Sequence, residues 1–329
     1  MRPMQEPGTV SDFAESEAAL APAKVNLTLR IIGRRADGFH ELESLVVFAP
    51  FGDRLTLWPG VPLDLKLSGP MAAGAGPVAE NLVLRAARSL AERIDGLKLG
   101  RFALDKRLPS GAGLGGGSAD AAAALRLIAK VNHLAVDDVR VQDAARATGA
   151  DVPVCLDPRP RVMRGIGEIL SPPLAMPKLG ILVVHPGVAV PTGLMFKALG
   201  LAPGERYAAR SAPPSPPPLA QDDRIWHGAT TPSLRLRGEG RKGVERDALV
   251  AWLASERNDL EAVAIAVAPS IADVLGVIAG LAGCRLARMS GSGSACFGLF
   301  NSARLAVAAA WRVTAARPSW WVRAGLLCN

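Results

Sequence analysis

Residues 108–125 read LPSGAGLGGGSADAAAAL and crowd five glycines, Gly111, Gly113, Gly115, Gly116 and Gly117, into seven positions. Glycine backbone reaches positive φ and brings bare N–H groups close to a ligand where side chains would block the approach. Ser118-Ala119-Asp120 then opens an Ala-rich run through Ile128 that carries Leu125 and Leu127, and Ser or Asp at such a start caps a helix. A helix start aimed at a loop made of donors suits a phosphate group. The chemistry expected of this stretch is nucleotide phosphate binding, against the plainer alternative of a glycine-rich linker before a helix.

Other phosphate loops fit less well. A Walker A loop needs Lys directly before its Ser or Thr, and Gly117 stands there before Ser118, so the lysine that reaches the β- and γ-phosphates is missing. Gly111, Gly113 and Gly116 do spell G-x-G-x-x-G, with Asp137 or Asp138 about twenty residues on. The nearest strand candidate, Leu97 to Leu104, is however separated from the first glycine by residues 105–110, whereas a dinucleotide fold takes that glycine at the strand end. The string PSGAGLGGGSADAAA instead resembles the phosphate-binding motif of the GHMP kinases, the superfamily of galactokinase, homoserine kinase and mevalonate kinase.

Two other groups of residues could do chemistry. Residues 21–32 place Val25, Leu27, Leu29 and Ile31 in alternation with Lys24, Asn26, Thr28 and Arg30, the period of a half-buried strand. On composition alone the polar face is a solvated one. Gly149-Ala150-Asp151-Val152-Pro153 follows a helical run over Val139 to Thr148, with Gly149 closing the helix and Pro153 disfavouring helical geometry at Val152. By itself Asp151 reads as a capping or turn residue fixed in that turn.

The resemblance adds roles to these residues. GHMP kinases open with an A-K-x-N strand, matched here by Ala23, Lys24 and Asn26, whose Lys and Asn reach the acceptor; GADVP is a further landmark and carries the catalytic aspartate, here Asp151. By the same resemblance the ATP site comprises Asn81, Lys106, Pro109, Ser110, Gly111, Ala112, Gly113, Leu114, Gly115, Gly116, Gly117, Ser118 and Ala119, with Ser118 helping to hold Mg²⁺. The segment RADGFHELES is sharper than the superfamily pattern and is similar to the branch whose acceptor is 4-diphosphocytidyl-2-C-methyl-D-erythritol, where an aromatic and this His hold the cytosine. Phe39 and His40 take those places, Phe39 where Tyr is usual; Ala119 stands where Ser is common. Thr192 and Phe196, in VAVPTGLMFK, would lie near the acceptor, and MSGSGSACFGLF from Met289 to Phe300 matches the C-terminal glycine motif. The resemblance thus implies phosphoryl transfer to an alcohol, with Asp151 as base and Lys24 stabilising the developing charge.

The elements that must position these residues fit a mixed α and β chain. A hairpin over residues 33–38 returns His40 beside Lys24; Asp53 to Leu57 and Leu63 to Leu67 alternate as short strands; a helix starts at Asn81 and runs through Ile94 to Gly96. Leu156-Asp157-Pro158-Arg159-Pro160 is a proline-punctuated link before the apolar strand Leu179 to Val184, and Leu260 to Ala282, broken by Glu261, Pro269 and Asp273, suits a buried helix pair better than a membrane span. The expected division is an extension over 1–20, an N-terminal ATP-binding domain over 21–160 and a C-terminal domain over 161–329. The fold the resemblance implies is α+β, with a ribosomal-protein-S5-like first domain and a ferredoxin-like second. Residues 203–246 differ, with APPSPPP at Ala212 to Pro218 and six basic against two acidic residues from Arg224 to Arg246; they read as a solvated insertion or, alternatively, a phosphate clamp or lid.

Composition bounds the remaining choices. At 329 residues and 49% hydrophobic content the chain can bury a substantial core. Four scattered cysteines without a C-x-x-C pair are no disulfide framework, and four dispersed histidines give no zinc spacing. A net charge of +8 could mean nucleic acid, but one Tyr and 5% aromatics offer few stacking platforms, so polyanionic small molecules explain it more economically. With no signal-peptide pattern in the first twenty residues, the expectation is a cytoplasmic monomer or homodimer, without nucleic-acid or membrane partners, using ATP and Mg²⁺ on a small molecule.

Overall fold

Long runs rich in Val, Leu and Phe form strands, and the Ala-rich runs form helices that can approach them closely. The computed structural model describes residues 15–207 and 240–327. The first part runs β1 (Glu17–Asn26), β2 (Arg30–Arg34), β3 (His40–Pro59), β4 (Asp64–Ser68), α1 (Leu82–Ala91), β5 (Gly100–Asp105), α2 (Gly116–Val131), α3 (Val139–Thr148), α4 (Val152–Leu156), β6 (Arg161–Gly165) and β7 (Ile169–Leu170). The second runs β8 (Leu179–His185), α5 (Thr192–Ala198), α6 (Gly240–Ser255), α7 (Glu261–Val267), α8 (Ser270–Ala279), β9 (Cys284–Met289), β10 (Cys296–Phe300), α9 (Ala303–Ala316) and β11 (Trp321–Leu327).

The first sheet is organised on β3, which takes neighbours on both edges: β1 and β2 on one, β5 and β6 on the other. Asp53 to Leu57, expected as a separate short strand, is the second half of this single 20-residue strand. One face of the sheet is covered by α1 and α2, on which α3 packs in turn, with Leu55, Leu57, Phe102 and Leu104 meeting Val83, Leu90, Leu125 and Ile128. Ala121 to Ala124 are fully buried; with no side chain beyond Cβ they let α2 lie close against the strands. The second sheet has the order β11-β8-β10-β9, all antiparallel, the βαββαβ arrangement of a ferredoxin-like domain. The two sheets meet through Val25, Leu27, Leu45 and Val47 on one side and Ile181, Val183, Phe297 and Leu299 on the other.

The strand pair β6–β7 belongs to the first sheet, because β6 pairs with residues 42–46 of β3. The change from first sheet to second therefore falls between Leu170 and Leu179, not at residue 160. Most of the 203–246 segment, and with it the choice between insertion and lid, lies outside the described residues, as do residues 1–14 and Cys328. Among the described residues no helix is long and apolar enough to cross a membrane.

The polar face of β1 is buried instead of solvated: Lys24, Asn26 and Thr28 are each under 5% exposed. The pairing of β1 with β3 slips between Pro22 and Lys24. Ala21 consequently packs toward the helices while Ala23, Val25 and Leu27 face the second sheet. A register slip of this kind exchanges faces, and it leaves Lys24 and Asn26 pointing into a cavity under the helices.

Candidate active site

The glycine loop lies at the floor of that cavity, and its shape is set by contacts on both sides. α2 starts at Gly116 with Gly115 as its N-cap in the left-handed region, φ +62°. The helix thus begins two residues before Ser118, the expected cap, and Ser118 sits in its first turn. A Cβ on Gly115 would crowd the Lys24 side chain at 3.2 Å, so glycine is what allows Lys24 to lie against the helix start. Below the loop, the turn over 290–294 holds it in place. Ser290 Oγ donates to Gly113 O at 3.1 Å and the Ala295 N–H donates to Ala112 O at 3.0 Å.

A buried charge cluster anchors the stretch leading into the loop. Asp53, on β3, accepts the backbone N–H groups of Arg107 at 2.5 Å and Leu108 at 2.8 Å, and the Lys106 ammonium at 2.6 Å. Lys106 also donates to Asp120 of α2 at 2.8 Å. Two of its three N–H donors are therefore committed beneath the loop. Burial works against the Lys106 ammonium, but Asp120 and Asp53 outweigh it and its pKa is raised. Burial pushes the Asp120 carboxyl up to about 8, helped by Asp53 and opposed by Lys106.

This cluster makes stability depend on pH. Folding raises the Asp120 pKa above its ordinary value of 3.8, so the folded state binds the extra proton and stability from this group falls as pH rises from about 4 to about 8. Asp120→Asn keeps an acceptor for Lys106 and removes the excess charge. Its melting temperature should exceed that of the parent at pH 9, by on the order of 1 kcal/mol in stability, with the gap closing toward pH 5. Thermal melts showing a gap that does not change with pH would reject a titrating Asp120.

Across the cavity, α4 presents Asp151. Val152, expected as non-helical, begins this short helix, because Pro153 falls in its first turn, where a missing N–H costs nothing. Asp151 is the N-cap residue but its side chain makes no capping bond. The carboxylate instead meets Lys24, Oδ2 to Nζ 2.9 Å, with the lysine buried and the aspartate side chain 38% exposed. A buried ammonium is thus held by a carboxylate that remains accessible to a ligand.

At the far end of the cavity the β2–β3 hairpin forms as expected, with His40 opposite Arg34. Lys24 pairs with Phe48 further along the same strand, so His40 and Lys24 share the cavity without being neighbours. The His40 and Phe196 rings lie 4.8 Å apart, and His40 Nε2 is buried without a hydrogen-bond partner. Burial, with Arg34 nearby, lowers the His40 pKa, which favours a neutral ring with one donor and one acceptor. Phe39 lines the same space and is 57% exposed, leaving its ring face open.

The cavity, about 690 Å³, therefore gathers most of the residues singled out in the sequence: Lys24, Asn26, Phe39, His40, Asn81, Lys106, Pro109 to Ser118, Asp151, Thr192 and Phe196 all line it. Asn81 also caps α1, its Oδ1 accepting from the Val83 N–H at 3.0 Å. Ala119 is a correction. It does not line the cavity but is fully buried in the core under the first sheet, because the residue after Ser118 in the first turn of α2 turns toward the strands when Ser118 faces the loop. Sequence reasoning missed Asp53, Asp120, Ser290 and Ser292, the last hydrogen-bonded to Thr192 at 2.8 Å. The serines stood in a small-residue turn whose partners only the fold reveals. Among the described residues no group of three His, Cys, Asp or Glu side chains could hold a metal alone.

Residues 81–157 match the GHMP kinases N terminal domain and residues 245–316 the GHMP kinases C terminal domain. A 4-diphosphocytidyl-2-C-methyl-D-erythritol kinase of Xanthobacter autotrophicus is 53% identical over 309 residues, covering 94% of this chain and 98% of that protein. One of Methylorubrum extorquens is 52% identical, covering 92% and 96%. A crystal structure of 4-(cytidine 5'-diphospho)-2C-methyl-D-erythritol kinase superposes with a TM-score of 0.69 at 34% identity, covering 95% of this chain and all of that one. The homoserine kinase of Cytophaga hutchinsonii, 16% identical with a TM-score of 0.60 over 98% and 97% of the two chains, shares the fold.

Proposed function

The chain belongs to the GHMP kinases, in their 4-diphosphocytidyl-2-C-methyl-D-erythritol kinase family, and from that premise we propose how its cavity carries out the reaction. The protein is an ATP-dependent kinase that phosphorylates an alcohol, the 2-hydroxyl of 4-diphosphocytidyl-2-C-methyl-D-erythritol, in the non-mevalonate (methylerythritol phosphate) route to isoprenoid precursors. The observation that carries the site assignment is one cavity with a donor-rich loop, an accessible carboxylate on a buried ammonium, and an unpartnered buried imidazole nitrogen beside the Phe196 ring.

Each end has a distinct task. Backbone N–H groups of 111–117 and the start of α2 hold the triphosphate, as helix starts hold anions. Asp151 accepts the proton of the attacking hydroxyl, and Lys24, 2.9 Å away, stabilises charge on the attacking oxygen and the transferring group. Mg²⁺ fits here as a nucleotide-borne ion. Ser118, in the first turn of α2 and lining the cavity, would offer it a hydroxyl beside phosphate and water ligands, and the ion would neutralise phosphate charge. His40 and Phe39 read the cytosine, by hydrogen bond and by stacking. A cytoplasmic enzyme that binds neither membrane nor nucleic acid is the consistent setting.

A phosphoryl-transfer assay offering diphosphocytidyl-methylerythritol, homoserine and mevalonate should show turnover of the first alone; equal turnover of either other acceptor would overturn the assignment. Loss of a buried base hydrogen bond costs about 1 to 3 kcal/mol and loss of base stacking a similar amount. His40→Ala and Phe39→Ala should therefore each lower kcat/KM by roughly ten- to a hundredfold, mostly through KM, since these groups lie away from the transfer. On methylerythritol phosphate lacking the cytidyl group, both variants should match the parent. Equal impairment on that truncated acceptor would make the pair structural residues of the hairpin.

A further inference from the structure

Asn26 faces the acceptor side of the cavity, and the identity of the atom it offers is decided behind it. Ser44, on β3, is completely buried. Its hydroxyl has one proton, and that proton is taken by the carbonyl oxygen of Thr28, 2.5 Å away. Thr28 cannot turn aside, because its own Oγ1 accepts the Leu45 N–H at 2.9 Å and the adjacent Leu27 N–H donates to Leu45 O at 2.8 Å. Ser44 Oγ therefore has only lone pairs left for Asn26, and it accepts Asn26 Nδ2 at 2.7 Å. A flipped amide would set Oδ1 against that oxygen, two acceptors facing one another without a proton between them.

We infer that Ser44 is a positioning residue, which fixes the Asn26 amide with its carbonyl oxygen toward the acceptor and so makes this point of the site select a hydroxyl donor. The backbone of Asn26 is held as firmly, its N–H donating to Ser290 Oγ at 3.1 Å. Oδ1 thus has a fixed direction, two residues along β1 from Lys24, beside Gly291, whose Cβ would come within 3.3 Å of it. An acceptor molecule that carries an O–H there gains a hydrogen bond, and one that carries a carbonyl or ether oxygen meets a second acceptor. This deepens the reading of Asn26 as an acceptor contact and rests on it.

The test is a double-mutant cycle read as kcat and KM for the diphosphocytidyl acceptor. Asn26→Ala should lower kcat/KM by roughly ten- to a hundredfold. Ser44→Ala, which frees the amide to flip, should lower it by roughly five- to twentyfold, chiefly in KM for the acceptor and with KM for ATP unchanged. In the Asn26→Ala background Ser44→Ala should cost no more than about twofold. An equal penalty in both backgrounds makes Ser44 a merely structural residue and overturns the inference, while a harmless Asn26→Ala overturns the acceptor contact itself. If Ser44→Ala does not fold, the parent protein still decides. The Asn26 side-chain amide protons, assigned by their loss in Asn26→Ser, should show nuclear Overhauser effects to Ser44 Hβ and none to the bound acceptor; contacts to the acceptor would mean the opposite orientation.

Discussion

Asp151→Asn should keep the fold and lower kcat by roughly 10²- to 10⁴-fold. The substitution is isosteric and, because the Asp151 side chain makes no capping bond, it removes nothing that α4 needs. What it removes is the carboxylate oxygen 2.9 Å from Lys24 Nζ, and with it both the proton acceptor and the charge that holds the ammonium in place. KM for ATP should change little, since the loop is held by Ser290, Ala295 and the Asp53 cluster. Steady-state kinetics with both substrates check this; a kcat near that of the parent would remove Asp151 from the role of base.

Gly113→Ala should disable the loop. Gly113 has φ +73°, which costs an L-residue about 1 to 2 kcal/mol. A Cβ there would also press into the carbonyl oxygen of Ser290 and lie 2.8 Å from Gly293 N. Both obstacles are backbone, so no rotamer change relieves them, and the loop and the 290–294 turn must separate. Stability should fall by about 2 to 4 kcal/mol and nucleotide binding should be lost with it. Gly276→Ala is the matched control. It lies in α8 with nothing within 4 Å of its Cβ position and should stabilise by about 0.5 to 1 kcal/mol. Denaturant titrations of the two variants check the contrast, and a Gly113→Ala protein as stable as the parent would mean that the two turns are not locked together.

Much of this arrangement was legible in the residues. The glycine spacing located the loop, α3 occupies the residues its periodicity marked, Val139–Thr148, and the alternation of Lys24, Asn26 and Thr28 identified the polar face at the end of β1. What the alternation could not say was that this face is buried. That follows from the slip between Pro22 and Lys24 and from helices folding over the strand, both of which are long-range facts. The helix start moved from Ser118 to Gly116 for a related reason. Local capping chemistry favours Ser, but Gly115 is required where Lys24 packs against the backbone. Asp53 and Asp120 stand 67 positions apart in the sequence, and only the fold brings them to one ammonium.

The length of β3 has a consequence for how the chain comes into being. Its partners along one edge are synthesised beside it, but the segment 42–46 waits for β6 at 161–165. That is about a hundred residues after β3 ends, or roughly 5 to 20 s of translation at 5–20 residues per second. Through that interval the nascent chain carries an open strand edge of the kind that seeds aggregation. The waiting segment is Leu42-Glu43-Ser44-Leu45-Val46, and Glu43 within it and Glu41 just before it guard the edge in the way Lys and Glu guard permanent ones. The polar stretch that later lines the cavity thus protects the growing polypeptide before there is any cavity to line.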